Sequence, residues 1–174
     1  MDNEPWIQTY TGKKFTPLNP REEDIDILDI AHALSNLCRF TGHSSEFISI
    51  AQHSVFVSSL VPNKHKLCAL LHDASEAYLN DISTPLKKSK VFETYRKIEE
   101  NLMSMIYNKY GVSEHNPLEV KQADSIALST EAKNFLNLRP DWVLKDKPLD
   151  IKISSLNPTD AKKLFLETFN KYYL

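Results

Sequence analysis

The chain has 174 residues, 41% of them hydrophobic and 25% charged, with a net charge of −2 at neutral pH. This suits one soluble globular domain over residues 1–174, large enough to bury about 70% of its unfolded surface, and it supplies no global basic field for nucleic acid. Only three glycines, with neither GxxxxGK nor GxGxxG, exclude a glycine-rich phosphate loop.

Met1-Asp2-Asn3-Glu4-Pro5 is acidic and lacks an apolar leader, and no stretch approaches the roughly eighteen apolar residues of a membrane span, so a cytoplasmic protein with no membrane partner is expected. Trp6 to Phe15 holds two short runs of β-formers around Thr11-Gly12, which predicts a hairpin with Lys13 and Lys14 solvated. A first helix is predicted from Asp26 to Cys38. Ile27, Ile30, Ala31, Leu34 and Leu37 form its inward stripe, His32 lies off it, and Gly42 supplies the stop. A second helix, Glu46 to Val61, turns Ile50, His53, Val57 and Leu60 to one face. An inward histidine by itself is more often a hydrogen-bonded core residue than a ligand.

A third helix, Lys64 to Leu79, begins with an exposed His65 and runs through Leu67-Cys68-Ala69-Leu70-Leu71 into His72-Asp73, with Glu76 and Asp81 close behind. On a helix His72 and Glu76 are i,i+4 neighbours, and Asp73 and Glu76 are i,i+3 neighbours. Imidazoles and carboxylates near a core are costly unless paired or bound to a metal, and a cation satisfies such a cluster most simply. Residues 81–88 read as a loop ahead of and around Pro85, with Lys87 and Lys88 able to attract phosphate but read first as solvated charges.

The fourth helix, Val91 to Tyr110, carries Phe92, Tyr95, Ile98, Leu102, Ile106 and Tyr110 on its inner side and stops at Gly111. The fifth, Pro117 to Leu138, brings Val120, Asp124, Ala127, Leu128 and Glu131 to one face, so Asp124 points inward. Leu149, Ile151 and Ile153 alternate with polar residues, predicting a short strand that extends the hairpin. A last helix runs from Asn157-Pro158 to Tyr172. Cys38 and Cys68 have no CxxC spacing and are expected as reduced, buried thiols.

Taken together, Gln52-His53-Ser54, His72-Asp73 and Lys121-Gln122-Ala123-Asp124 resemble the H…HD…D signature of the HD-domain metal-dependent phosphohydrolases. The run from His72-Asp73-Ala74-Ser75-Glu76 to Asp81-Ile82-Ser83-Thr84-Pro85 is similar to the bacterial 5′-deoxynucleotidases, and the likeness covers about residues 30 to 135. The resemblance implies an all-α HD-domain helical bundle with a small accessory β-hairpin near the N-terminus. It also implies one divalent transition metal (Co, Mn, Zn, Fe or Ni) held by His53, His72, Asp73 and Asp124. Two imidazoles and two carboxylates suit such an ion better than Mg²⁺ or Ca²⁺, which prefer oxygen alone.

By the same resemblance Arg39 holds the 5′-phosphate and Phe40, where the family has tryptophan, packs on the sugar. Asp81 hydrogen-bonds the 3′-OH, with an Asx turn ahead of Pro85 as its other reading. Glu76 orients or deprotonates water, protonates the leaving oxygen, or instead fixes a ligand histidine. His43 and Lys121 are further candidate substrate contacts, each with an ordinary surface reading. The first-choice substrate is a 2′-deoxynucleoside 5′-monophosphate. Small phage-type triphosphohydrolases share these motifs, so a deoxynucleoside triphosphate is the alternative, and a non-catalytic nucleotide-binding module is the third. A homo-oligomer is expected.

Overall fold

The computed structural model describes residues 4–115 and 117–173; Met1 to Asn3, on which the reading of a missing leader partly rests, lie outside the described residues. The protein is a helical bundle with a two-stranded antiparallel hairpin near its N-terminus, as expected. Strand β1 (Ile7–Gln8) pairs with β2 (Lys14–Phe15), Ile7 opposite Phe15. The hairpin is pinned to helix α1 (Ile27–Asn36), where Asp29 accepts hydrogen bonds from the Thr11 N–H at 2.6 Å and the Thr11 hydroxyl at 2.9 Å. Lys14 is exposed as predicted, but Lys13 is half-buried and paired with Asp26 at 3.0 Å.

Helix α1 is shorter than predicted at both ends. Asp26 is its cap, accepting the Leu28 N–H, and after Asn36 the backbone becomes extended. Cys38 then bridges Ser49, Arg39 N–H donates to the Ile48 carbonyl at 2.8 Å, and Ile50 N–H donates to the Leu37 carbonyl at 3.0 Å. Residues 39–48 thus form a loop closed at its base. Inside it Phe40 and Thr41 hold φ of 54° and 53° ahead of Gly42 at 78°, so Gly42 belongs to this left-handed turn and does not stop the helix. Each side chain in that region costs on the order of 1–3 kcal/mol and persists only where the surroundings over-determine it.

Helix α2 (Ile50–Ser59) starts later than predicted because Ser49 is its cap, its hydroxyl accepting the Gln52 N–H at 3.1 Å. Ile50, His53 and Val57 are buried and Leu60 is half-buried. The predicted third helix is broken into α3 (Lys66–Leu71) and α4 (Glu76–Leu79). Between them the chain tightens: Ala74 N–H donates to the Leu71 carbonyl at 2.9 Å and Glu76 N–H to the Asp73 carbonyl at 3.0 Å, both i→i−3 bonds. The His-Asp motif therefore sits on a turn, and the regular i,i+4 relation of His72 to Glu76 does not hold. His65, expected exposed, is buried between Glu114 and Glu119 at 3.8 and 3.7 Å.

The segment read as loop contains a one-turn helix, α5 (Thr84–Lys87), because Pro85 lies in its first turn, where a missing N–H leaves no bond unmade. Helix α6 (Glu93–Lys109) buries Leu102, Met103, Ile106 and Tyr107, while Phe92, Tyr95 and Ile98 at its start are only half-buried. Helix α7 (Leu118–Phe135) buries Val120, Ala127 and Glu131, but Leu128 faces solvent.

Residues 149–156 form no strand. They run as an extended strap whose backbone is satisfied by side chains: Leu149 N–H donates to Thr130 Oγ1, Ile153 N–H to Asn134 Oδ1, and Gln52 bridges Ser154 O and Leu156 N–H. Helix α8 (Pro158–Tyr173) follows, capped by Asn157, whose Oδ1 accepts the Asp160 N–H at 3.0 Å. One apolar cluster, including Ile30, Leu34, Ile50, Val57, Leu71, Ile106 and Phe165, joins α1, α2, α3, α6 and α8. Cys38 is half-buried, Cys68 is buried, and both are free of disulfides. No helix among the described residues is long and apolar enough to cross a membrane.

Candidate functional site

His53, fully buried on α2, donates from Nδ1 to Glu131 Oε1 at 2.9 Å, which directs Nε2 toward Asp124 Oδ1 at 3.1 Å and Asp73 Oδ2 at 3.8 Å. His72, at the end of α3, binds the Ala69 carbonyl through Nδ1 at 2.8 Å. A carbonyl only accepts, so the proton is on Nδ1. Nε2 is buried without a hydrogen-bond partner among the described residues, 3.2 Å from Asp73 Oδ2 and 3.8 Å from Asp124 Oδ1.

These atoms converge. One donor atom from each of His53, His72 and Asp73 lies within 4.8 Å of the others, and Asp124 Oδ1 is close to both rings. In each imidazole the outer nitrogen is taken by an acceptor and the inner one is turned to the common centre, the arrangement by which proteins orient metal-binding histidines. The orphaned Nε2 and the mixed nitrogen and oxygen donor set fit a metal ion.

The electrostatics follow from crowding acids around buried rings. Burial opposes charge on His72, but Asp73 and Asp124 outweigh it and hold the imidazole well above its ordinary pKa; His53 is raised too, with Glu131 and Asp124 prevailing over burial and Arg39. Burial likewise opposes ionisation of Asp73, yet His72 and His53 pull it down to about 2, and the same rings lower Asp124. Glu76 goes the other way. Burial, then Asp73 and Asp81, push it up to about 9 despite Lys87, whose Nζ is 3.7 Å away.

No protein-family model matches the chain. The uncharacterized protein YfdR of Escherichia coli is 41% identical over 169 residues, covering 95% of this chain and 94% of that protein. The chain belongs to the YfdR family. The uncharacterized protein RCAP_rcc00048 of Rhodobacter capsulatus is 30% identical over 75% of this chain and 72% of its own. More distantly, a protein named 5′-deoxynucleotidase VP0926, from Vibrio parahaemolyticus, is 26% identical over 90% of this chain and 82% of its own.

In this YfdR-family chain Arg39 enters from the strained loop. Its Nε and Nη2 lie 3.2 and 3.1 Å from Glu131 Oε2, and the Phe40 ring centre is 5.5 Å from the guanidinium carbon. Arg39, His53, His72, Asp73, Glu76 and Asp124 are thus gathered in one region, and the charge of Asp81, half-buried after α4, acts on Glu76. His43 and Lys121 are exposed on the loop and on α7.

Two residues of the YfdR-family site were not singled out from sequence. Glu131 is buried where it meets both His53 and Arg39; its place seven residues after Asp124, on one helical face, was the available signal. Lys87, read as solvated, is half-buried and 2.7 Å from Glu99 of α6. It borders a cavity of about 330 Å³ with His72, Asp73, Glu99, Glu100 and Met103.

Proposed function

We propose that the chain is an HD-type metal-dependent phosphohydrolase that converts 2′-deoxynucleoside 5′-monophosphates and water to deoxynucleosides and phosphate. The observation that carries this reading is the convergence of His53 and His72 Nε2 on Asp73 and Asp124, beside Arg39 and Glu76. The relatives named 5′-deoxynucleotidase, such as the Vibrio parahaemolyticus protein, support it.

A divalent ion of the Co, Mn, Zn, Fe or Ni class, held by His53, His72, Asp73 and Asp124, would supply Lewis-acid stabilisation and lower the pKa of a coordinated water. Arg39 binds the phosphoryl oxygens. Of its five N–H donors, Glu131 takes the Nε–H, leaving the four on Nη1 and Nη2 for substrate, with Nη2 ion-paired to the same carboxylate at 3.1 Å. These are worth most in the transition state, where charge spreads over the equatorial oxygens. Glu76 handles protons, taking one from the attacking water or giving one to the departing 5′-oxygen. Asp81 accepts the 3′-OH, and Phe40 packs on the deoxyribose.

The cavity wall favours a monophosphate. Glu99 and Glu100 line it, and its cation Lys87 is already paired with Glu99. A triphosphate would bring roughly −4 charge against those carboxylates. With Co²⁺ added, the protein is expected to release inorganic phosphate from dAMP. Release of intact tripolyphosphate from dATP, without dAMP turnover, would overturn the monophosphate reading. Metal uptake with no turnover of either nucleotide would favour a binding module.

A further inference from the structure

We propose that Glu131 is a positioning residue whose single buried carboxylate aims both the metal ligand His53 and the phosphate-binding Arg39. The assignment of those two partners rests on the function proposed above.

Glu131 is 1% exposed. A carboxylate this deep is tolerated only when paired, and here it pairs with His53 and Arg39, both groups of the site. His53 Nδ1 is 2.9 Å from Oε1 and 3.1 Å from Oε2, and Oε2 also accepts from Arg39 Nε at 3.2 Å and is ion-paired with Nη2 at 3.1 Å. Each partner presents its remaining donor to the same place. His53 turns Nε2 to Asp124, and Arg39 keeps the N–H groups of Nη1 and Nη2, its guanidinium acted on by Asp73, Asp124 and Glu76.

The backbone shows why a tether is needed. Arg39 lies directly before the left-handed Phe40 and Thr41, in a loop with little regular structure of its own. Helix α7 holds that loop twice, through Glu131 to the Arg39 side chain and, one turn further on, through the Phe135 carbonyl accepting the Ser45 N–H at 2.8 Å. The same helix carries Asp124 two turns earlier. A single rigid element therefore sets the spacing between the metal centre and the phosphate fork.

Glu131→Gln separates this role from simple packing. The amide keeps the volume, but its NH₂ must face a donor, His53 Nδ1 in the place of Oε1 or Arg39 in the place of Oε2, so one of the two pairings is disturbed. Calorimetric titration of metal-free protein with Co²⁺, and of Co²⁺-loaded protein with inorganic phosphate, reads the two arms without turnover. Glu131→Gln is expected to weaken at least one of these by about 10- to 100-fold. In the arm that is lost, Arg39→Ala or His53→Ala is expected to add little to Glu131→Gln. Glu131→Asp, which keeps the charge but shortens the reach, guards against misfolding and is expected to show a smaller loss in the same arm. A lower melting temperature with both affinities within twofold of wild type in both variants would overturn the proposal. If wild-type protein binds Co²⁺ and phosphate but hydrolyses no dAMP, the proposed function fails while these affinities still judge Glu131.

Discussion

The His72 ring hydrogen-bonds back to the Ala69 carbonyl through Nδ1 at 2.8 Å, and this contact leaves Nε2 buried opposite Asp73, with no hydrogen-bond partner among the described residues. An imidazole held this way has its tautomer and its direction chosen before any ion arrives. The tightened turn after Leu71 makes this geometry available, since it brings Asp73 Oδ2 to 3.2 Å from the adjacent ring.

Metal binding should therefore depend on His72 and Asp73 and strengthen as pH rises. With acids raising both histidines in the metal-free site, protons compete with the ion near neutrality and must be displaced. Wild-type protein is expected to take up about one transition metal per chain, more tightly at pH 8 than at pH 6. His72→Ala and Asp73→Ala should bind none while keeping most of their far-ultraviolet helicity. Metal analysis after dialysis checks this, and stoichiometric metal in either variant would remove the pair from the ligand set.

Helical periodicity made α1, α2, α6, α7 and α8 legible, and inward spacing put His53 and Asp124 on the correct faces, because both depend on one helix at a time. The break at His72–Ser75 was not, since i→i−3 tightening leaves no mark in an apolar repeat. The alternation at 149–153 looked like a strand, yet its backbone partners are side chains of Thr130, Asn134 and, further along, Gln52. The burial of His65 and Lys87, and the pairing of the inward-facing Glu131, were hidden for the same reason. Each is a charged or polar residue whose interior position depends on partners from another element: Glu114 and Glu119, Glu99, and Arg39 with His53.

Arg39→Ala should separate phosphate binding from metal binding. The guanidinium is linked to His53 through their shared partner Glu131. Losing a preorganised donor set aimed at developing charge typically costs about 10²–10³ in turnover. We expect that loss in kcat/KM for dAMP with Co²⁺ retained at wild-type stoichiometry. A variant that loses only thermal stability would make Arg39 a loop anchor and nothing more.

Glu76 sets a stability prediction whose sign is opposite to that of an ion-paired acid. Unfolded, it ionises near 4.5; folded and metal-free, burial with Asp73 and Asp81 holds its proton up to about 9. Between those values the native state keeps a proton that the unfolded state has released, so this group's contribution is fully present below 4.5 and is lost as pH rises toward 9. Glu76→Gln cannot ionise and removes that slope. Asp73 and Asp124, with lowered pKa values, bring the opposite slope only at acid pH, and they are common to both proteins. In chelator-treated protein the variant should therefore match wild type near pH 4.5 and exceed it by on the order of 5 kcal/mol by pH 8. Urea unfolding at pH 5, 6.5 and 8 measures the difference. Curves that stay parallel across that range would mean that Glu76 is already ionised in the folded, metal-free protein, and its proton would not be available to a leaving oxygen.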